Sequence, residues 1–233
     1  MPVVASVLVD FDGTAALHDV AAHLLDRFGQ PGWPDYDGAW IRGEIDGRSV
    51  LQPQAAMLRA PLDELVAYAV SHCPLDPSFG PFVAWCRRRD VPLTLVSDGF
   101  GFYIPPLLEA NRITGVGVIT NGWEPGETPS LRFDHGHPDC IGCGTCKKLA
   151  VERARAAGPV AFVGEGLSDR FGARYADVTF AKDGESLIRR CETEGIPFVP
   201  WRSFDDVRSW LEGPAASPGP LGGEPCPGWW GRD

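Results

Sequence analysis

Two carboxylates stand one residue apart near the start of the chain, directly after an apolar run. Residues 3–9 have the continuous apolar character of a strand that is buried on both faces of a parallel sheet. Asp10 and Asp12 follow this run. One acid of such a pair could attack an electrophile or bind a metal ion while the other donates and accepts protons. The alternative is an ordinary strand end that leads into an Asp-Gly turn.

Polar side chains also follow two later apolar runs, at the point where each run ends. Ser97 closes the first of these, and Glu165 and Asp169 come just after the second. Lys147 and Lys148 begin the helical pattern before that second run. The carboxyl ends of parallel strands meet at one edge of a sheet, where open α/β proteins place their ligand sites. We therefore expect these groups to converge, and together they are groups that phosphoryl transfer uses.

Apolar runs alternate with helical patterns along the chain. Strands are predicted at residues 3–9, 91–97, 116–120, 131–133, 159–163, 177–181 and 196–199. Helices are predicted at residues 20–28, 79–89, 102–110, 147–157 and 204–211. Asp19 is the expected N-cap of the first helix and Gly29 its end, and a hairpin is expected around Asn121-Gly122. Strands that alternate with helices predict an α/β fold with a doubly wound parallel sheet.

Three further segments differ from this alternating pattern. Residues 15–78 contain short helical patches and no long β run, which indicates a small helical insertion. Residues 134–147 form a loop rich in Cys and His. In residues 213–233, 11 of the 21 residues are Gly or Pro, a composition that predicts a disordered tail.

The composition argues against two classes of protein. The formal net charge is −10 at pH 7, whereas binding of a nucleic-acid backbone requires a basic face. No stretch of the sequence approaches the roughly 18 apolar residues of a membrane span, and no signal sequence is expected at the N-terminus. We expect a cytoplasmic protein, either a monomer or a homodimer. The concentration of cysteines in one short segment is more typical of a metal or redox site than of a secreted disulfide framework.

Four motifs taken together resemble the haloacid dehalogenase superfamily of phosphatases. The signature of that family is a DxDGT strand end, a Ser or Thr after the second strand, a Lys and an acidic loop. Here the motifs occur in that order as Asp10-Phe11-Asp12-Gly13-Thr14, Ser97, Lys147 and Gly164-Glu165-Gly166-Leu167-Ser168-Asp169. The resemblance implies a Rossmann-like core with a small helical cap inserted after the first strand. Residues 1–14 and 79–212 would form the core, and residues 15–78 the cap.

Further residues are similar to a phosphoserine-phosphatase-like branch of the superfamily. That branch includes the phosphatase acting on 2-hydroxy-3-keto-5-methylthiopentenyl-1-phosphate and the phosphoethanolamine and phosphocholine phosphatases. The residues are Trp40, Gly43-Glu44-Ile45, Gln54, Val96-Ser97-Asp98-Gly99-Phe100, Tyr103-Ile104 and Cys143-Gly144-Thr145-Cys146-Lys147.

The resemblance implies a Mg²⁺-dependent phosphomonoesterase that acts on a small phosphate ester. Asp10 would attack phosphorus and carry a phosphoaspartyl group, while Asp12 would protonate the leaving alkoxide and then activate water. Ser97 would hydrogen-bond a phosphoryl oxygen, and Lys147 would offset charge on Asp10 and the phosphate. The implied Mg²⁺ ligands are Asp10, Asp12, Glu165 and Asp169. The implied phosphate-binding residues are Phe11, Gly13, Thr14, Ser97, Asp98, Gly99 and Lys147.

Several alternatives stay open at this point. Glu165 stands where the family usually has Asp, so the chain could be a weakly active or regulatory metal- and phosphate-binding protein. It could also be a phosphotransferase that passes the phosphoryl group to an alcohol. Lys148 could take the place of Lys147, and Asp169 could serve only as a helix cap.

The loop at residues 134–147 suggests a second metal site. Three cysteines with one of two histidines could complete a Cys₃His zinc site; the candidates are His135, His137, Cys140, Cys143 and Cys146. The spacing C-x₂-C-x₂-C is similar to that of iron–sulfur proteins, but the segment lacks a fourth Cys followed by Pro. Alternatively the cysteines form a disulfide, or pack as small apolar residues beneath the lysine loop.

Overall fold

The computed structural model describes residues 4–214 and 217–231, and its centre is a seven-stranded sheet. The strands are β1 Ser6–Val9, β2 Leu93–Phe100, β3 Gly117–Glu124, β4 Ser130–Arg132, β5 Val160–Gly164, β6 Val178–Lys182 and β7 Val199–Trp201. Their order across the sheet is β4-β3-β2-β1-β5-β6-β7. Neighbouring strands are parallel except β3 and β4, which are antiparallel. The predicted fold class is confirmed.

Ten helices connect and cover the strands in the described ranges. They are α1 Val20–Phe28, α2 Trp33–Ile41, α3 Gly47–Met57, α4 Leu62–His72, α5 Phe79–Arg88, α6 Ile104–Ala110, α7 Lys147–Arg155, α8 Arg170–Ala173, α9 Ser186–Glu194 and α10 Phe204–Glu212. Helix α1 has the predicted ends, because Asp19 accepts a hydrogen bond from the Ala22 N–H at 2.8 Å and Gly29 follows Phe28. Helix α9 was not predicted, although its buried Leu187 and Cys191 lie one helical turn apart.

Apolar side chains fill the space on both faces of the sheet. In β1, Val7 and Val9 pack into one hydrophobic cluster and Leu8 into the other, because successive side chains of a strand point to opposite faces. A strand buried on both faces is apolar at every position, which explains the unbroken run before Asp10. The predicted strand started at Val3, which lies outside the described residues, and the observed strand starts at Ser6.

Helices α1 to α4 occupy the insertion between β1 and α5. The two ends of this insertion lie side by side, since Ala16 and Leu75 form an isolated antiparallel bridge and the Asp76 N–H donates to Ala15 O at 2.9 Å. Helix α1 also contributes Val20 and Leu24 to the core of the sheet. The chain therefore leaves the sheet and returns to it at one place, close to the carboxyl end of β1.

The hairpin and the tail differ from the sequence expectations. Strand β3 continues through Asn121 and Gly122 to Glu124, so the turn lies at residues 125–129 instead. Asn121 is 1% exposed because its side chain binds neighbouring backbone, as described below. In the tail predicted to be disordered, residues 217–231 lie against the domain, whereas residues 215, 216, 232 and 233 lie outside the described ranges. For example, the Tyr175 hydroxyl donates to Gly223 O at 2.8 Å.

Candidate functional site

A cavity of about 230 Å³ lies at the carboxyl edge of the sheet, where β1, β2 and β5 end. Residues that follow these strands form one wall, and residues of helices α1, α2 and α3 form the other. The predicted site residues that line the cavity are Asp10, Asp12, Asp98, Gly99, Lys147, Glu165 and Asp169. The parallel sheet thus brings together groups that are far apart in the sequence, as expected for the edge where strand ends meet.

Lys147 connects two of the acids in this cavity. Its side chain is 2% exposed, and its Nζ donates to Asp10 Oδ1 at 2.7 Å and to Asp169 Oδ1 at 2.5 Å. Burial by itself lowers the pKa of Lys147, but the two carboxylates outweigh that effect and raise the pKa above its ordinary value. Lys147 is therefore a fixed cation between the end of β1 and the loop after β5.

Asp10 is held at the end of β1 by its backbone and by Lys147. Its N–H donates to Val163 O on β5 at 2.9 Å, which continues the ladder between the two strands. The pKa of Asp10 is raised to about 7, chiefly by burial; Asp169 also raises it, whereas Lys147 and a hydrogen bond from the Phe11 N–H lower it. Lys147 binds Oδ1 of Asp10, and Asp10 lines the cavity, where its carboxylate can attack an electrophile or bind a cation.

Asp12 is surrounded by donors. The Tyr103 hydroxyl donates to its Oδ2 at 2.9 Å and the Ser97 hydroxyl to the same oxygen at 3.2 Å. The N–H of Val20, at the start of α1, donates to its Oδ1 at 2.9 Å. Burial raises the pKa of Asp12 well above its ordinary value, and the charges of Asp19 and Asp10 add to this effect. A carboxyl group whose pKa is raised can carry the proton that a general acid gives up.

Gly99 allows these groups to come together. An ideal Cβ at this position would lie 2.6 Å from Asp12 Oδ2 and 3.2 Å from Ser97 Oγ, and it would also overlap the Tyr103 hydroxyl. The Gly99 N–H meanwhile donates to Ser97 Oγ at 3.0 Å. A side chain here would displace Asp12, so the position requires glycine for reasons of space.

Glu165 reaches across the opening of the cavity toward Gly13. An ideal Cβ at Gly13 would lie 2.9 Å from Glu165 Oε1. The pKa of Glu165 is raised to about 8, chiefly by burial and also by repulsion from Asp169 and Asp10. Within the described ranges, its carboxylate has neither a hydrogen-bond donor nor an ion-pair partner. Glu165 is one methylene longer than the Asp usual in the family, and its carboxylate still lies at the site.

Asp98 binds the loop that precedes Lys147. Its Oδ1 accepts the Thr145 N–H at 2.7 Å, and Asn121 Nδ2 donates to its backbone oxygen at 2.8 Å. The Thr145 hydroxyl donates to Asn121 Oδ1 at 3.2 Å. Asp98 lines the cavity, but these contacts also make it an anchor that sets the position of the segment leading to Lys147.

Four of the predicted phosphate-binding residues do not line the cavity: Phe11, Gly13, Thr14 and Ser97. The ring of Phe11 is fully buried in the hydrophobic core, and the Thr14 hydroxyl is buried without a hydrogen-bond partner in the described ranges. Ser97 is also fully buried, and the Gly13 N–H donates to His18 O at 3.1 Å. The role of the backbone N–H groups after Asp10 in phosphate binding stays a prediction.

Sequence reasoning missed several residues of the site. Asp19 and Asp37 line the cavity on the side opposite Lys147, and Gln54 Nε2 donates to Asp37 Oδ1 at 2.9 Å. Lys182 Nζ donates to Gly13 O at 2.6 Å and so holds the turn after β1. Tyr103 appeared in the sequence only as part of a resemblance. Contacts between distant segments have no local signal that could have revealed them.

Comparison with known proteins gives related phosphatases, although no family model matches the chain. The 2-hydroxy-3-keto-5-methylthiopentenyl-1-phosphate phosphatase of Geobacillus kaustophilus is 30% identical over 203 residues, which cover 85% of this chain and 91% of that protein. Pdp3-interacting factor 1 of Schizosaccharomyces pombe is 27% identical over 218 residues, covering 88% of this chain and 94% of that protein. A solved phosphoserine phosphatase with an analogue of its phosphoaspartyl intermediate superposes with a TM-score of 0.68 at 12% identity, over 89% of this chain and 99% of that one. The chain belongs to the haloacid dehalogenase superfamily of phosphatases.

Phosphatases of the haloacid dehalogenase superfamily generally use Mg²⁺, and the cavity suits a cation in part. Asp10 and Glu165 supply hard carboxylate oxygens, and burial disfavours the charged form of each. Asp169 differs from the expectation, because its Oδ1 binds Lys147 and its Oδ2 accepts the N–H groups of Glu165 and Gly166 at 2.8 Å. In residues 4–214 and 217–231, no three Asp, Glu, His or Cys side chains are assembled as a metal-binding group.

The predicted Cys₃His arrangement in the loop at residues 134–147 is not supported. Cys140, Cys143 and Cys146 line a second, small cavity together with His137, but His135 does not. His137 is already engaged, since its Nδ1 accepts the Asp139 N–H at 3.1 Å. All seven cysteines of the chain lie in the described ranges and are free, so the suggested disulfide is absent there as well.

Among the helices of the described ranges, none has the length and apolar character that a membrane-spanning helix requires.

Proposed function

We propose that the chain hydrolyses a small phosphate monoester in two steps, with the phosphoryl group carried on Asp10. In the first step Asp10 Oδ2 bonds to phosphorus as the bond to the alcohol oxygen breaks, and Asp12 gives its proton to that oxygen. In the second step water attacks phosphorus, Asp12 takes its proton, and the Asp10 carboxylate is released. The observation that carries this proposal is the position of Asp10 and Asp12 in one cavity, the first bound to Lys147 and the second to Tyr103.

Fixed charges of the chain favour the first step. Lys147 offsets negative charge on Asp10 and on the incoming phosphate, and it needs no reorganisation because Asp10 and Asp169 already hold it. Bound Mg²⁺ supplies further neutralisation at the phosphate oxygens, and Asp10 and Glu165 are the residues that would hold it. Ser97 is fully buried and donates to Asp12, so in this proposal it orients the general acid.

Helices α1 to α4 act in this proposal as the cap, the unit assigned to residues 15–78. Trp33, Trp40 and Asp37 of α2 and Gln54 of α3 line the cavity opposite the acids of β1. The alcohol part of the substrate would lie against these side chains, and covering it would exclude water. Asp37, held by Gln54, favours an alcohol part that carries hydrogen-bond donors such as hydroxyl or ammonium groups.

The covalent step can be tested by trapping. Enzyme mixed with p-nitrophenyl phosphate and MgCl₂ should release phosphate, and borohydride quenching during turnover should convert residue 10 to homoserine, detected by peptide mass spectrometry. Asp10→Asn should lose both signals while its circular dichroism and thermal midpoint stay close to those of the parent. Turnover without modification of residue 10 would overturn the assignment of the nucleophile.

The substrate can be narrowed by comparing a panel of esters. The Geobacillus kaustophilus relative is named for 2-hydroxy-3-keto-5-methylthiopentenyl-1-phosphate, so this ester, phosphoethanolamine, phosphocholine and phosphoserine form the panel. A kcat/KM at least tenfold higher for one ester would identify its class. Transfer of phosphate to an added alcohol would instead indicate a phosphotransferase, and binding of phosphate without turnover a regulatory protein.

A further inference from the structure

The C-terminal tail crosses the cysteine-rich loop and brings a fourth cysteine to it. Gly231 forms a β-bridge with Cys140, and the Ile141 N–H donates to Trp230 O at 2.9 Å. Close contact at this crossing depends on Gly142, because a Cβ there would overlap Gly228 O. The tail therefore docks in a defined position, and Cys226 lies five residues before this crossing in the sequence.

Cys140, Cys143, Cys146 and Cys226 line one cavity of about 20 Å³. Each of the four thiols lies within electrostatic reach of the other three. A volume of 20 Å³ is close to that of one water-sized sphere, so it suits a single ion and is too small for an eight-atom iron–sulfur cluster. The fourth sulfur that the loop lacks is thus supplied by a segment about 80 residues away in the sequence.

Backbone N–H groups are directed at these sulfurs. Cys140 Sγ accepts the N–H of Gly142 at 3.3 Å and that of Trp230 at 3.2 Å. The N–H of Gly228 is directed at the sulfur of Cys226. In both cases the donor is the N–H of the glycine two residues after the cysteine. These N–H groups point at sulfur from two directions, which is a geometry suited to a sulfur that is bound to a metal ion.

The surroundings also provide positive charge. Lys148 lines the same cavity and pairs with Glu224 of the tail at 2.6 Å. The guanidinium of Arg48 donates to the carbonyl oxygens of Cys140 and Cys143 at 3.1 Å. Four thiolates around a divalent ion carry a net charge of minus two; Arg48 offsets part of it, whereas Lys148 is already paired with Glu224 and Glu152.

We propose that Cys140, Cys143, Cys146 and Cys226 bind one zinc ion as four thiolates and thereby fasten the tail across the loop that leads to Lys147. Binding releases the four thiol protons to solvent as the four Zn–S bonds form. In residues 4–214 and 217–231 the four sulfurs line one cavity but are not yet assembled at metal-binding distances, so binding must draw them onto the ion. Cys146 is the N-cap of α7 and directly precedes Lys147, so the ion would stabilise the position of the active-site lysine.

Metal analysis of the full chain tests this inference independently of phosphatase activity. Protein purified under reducing conditions should contain about one zinc per chain, and Cys226→Ala should lose most of it in the presence of a competing chelator. Cys86→Ala, which removes a buried thiol of α5 outside the cluster, should retain the zinc. Replacement of zinc by Co²⁺ should give the visible bands of a tetrahedral thiolate complex in the parent and in Cys86→Ala only.

Three results would overturn the proposal. The first is a stable parent protein without zinc that takes up none when Zn²⁺ is added. The second is iron with acid-labile sulfide in stoichiometric amount, which would indicate an iron–sulfur cluster. The third is full retention of zinc by Cys226→Ala, which would exclude the tail from the site. None of these results bears on whether Asp10 carries a phosphoryl group.

Discussion

The hydroxyl of Tyr103 lies 2.9 Å from Oδ2 and 3.1 Å from Oδ1 of Asp12. Tyr103 is fully buried, and the burial and the nearby Asp12 charge raise the pKa of its hydroxyl well above the ordinary value. The hydroxyl therefore keeps its proton near neutral pH and donates a hydrogen bond to Asp12. Through it, the helix that follows β2 fixes the orientation of the proposed general acid after β1.

Tyr103→Phe should lower kcat by about tenfold or more, because a hydrogen bond to a carboxylate contributes about 1.5–3 kcal/mol and each 1.36 kcal/mol is a factor of ten in rate. KM should change little, since Tyr103 does not line the cavity. Steady-state kinetics with p-nitrophenyl phosphate give both values. Tyr68→Phe in α4 is the matched control, since it also removes a hydroxyl from outside the cavity lining. An unchanged kcat in Tyr103→Phe would show that Ser97 and the Val20 N–H suffice to orient Asp12.

Gly99→Ala should abolish most activity without large loss of stability. The added methyl group overlaps the Tyr103 hydroxyl and would lie 2.6 Å from Asp12 Oδ2, so the carboxylate must move. A displacement of this size can reduce kcat/KM by about a hundredfold. Gly80→Ala in α5 is the control, because its Cβ would lie 3.8 Å from Ile113 Cδ1 in ordinary contact, and alanine favours a helix. Equal activity of the two variants would contradict the proposed role of the Asp12 position.

Two substitutions, Lys147→Met and Lys148→Met, test which of the two adjacent lysines is the active-site lysine, a question that the sequence alone left open. Lys147 is buried between Asp10 and Asp169, whereas Lys148 pairs with Glu152 at 3.0 Å and with Glu224. Removing Lys147 leaves two buried carboxylates without their cation, which should lower the free energy of unfolding by about 3 kcal/mol and abolish turnover. Lys148→Met should keep its activity and lose at most about 1 kcal/mol, since its partners are solvent-exposed. Denaturant unfolding and phosphate release measure both effects, and inactivation by Lys148→Met alone would contradict the assignment.

The parts of the fold that depend on local patterns were predictable from the sequence. The apolar run before Asp10 identified β1, and Asp19 and Gly29 marked the ends of α1. Asn121-Gly122 misled the prediction because this pair is typical of tight turns, yet tertiary contacts keep it in β3. The side chain of Asn121 binds Asp98 and Thr145, which are distant in sequence.

The site residues that the sequence analysis did not identify were missed for one physical reason. No sequence motif identifies Asp37, Tyr103 or Cys226 as a site residue. Folding brings Asp37 to Gln54, Tyr103 to Asp12, and Cys226 to the cavity that Cys140 lines. For the tail, composition predicts disorder, and no local pattern in the sequence indicates the contacts that residues 217–231 make with the domain. Gly and Pro are typical of disorder, but in residues 217–231 glycines allow close backbone contact with the domain, as where the Gly222 N–H donates to Arg174 O at 2.9 Å.

Glu165 is the residue whose side chain departs from the usual pattern of the family, and its effect on metal binding can be measured directly. Its carboxylate faces Gly13 without a donor in the described ranges, while Asp169 is taken up by Lys147 and two N–H groups. We expect Glu165 to be the acid that completes the Mg²⁺ site with Asp10. Glu165→Gln keeps the shape but removes a charge, so the Mg²⁺ concentration for half-maximal activity should rise about tenfold or more.

Glu165→Asp tests whether Mg²⁺ affinity depends on the charge of the side chain or on its length, because this variant keeps the carboxylate but shortens the side chain by one methylene. We expect Mg²⁺ affinity in this variant to equal or exceed that of the parent, since the shorter acid is the usual one in the family and water can bridge the remaining gap. Calorimetric titration with MgCl₂ in the absence of substrate measures affinity apart from turnover, and Glu185→Gln, outside the cavity lining, controls for loss of general negative charge. A large loss of Mg²⁺ affinity in Glu165→Asp would mean that the backbone of residues 164–169 is arranged for the longer side chain. Unchanged Mg²⁺ affinity in Glu165→Gln would show that Glu165 is not a ligand of the metal.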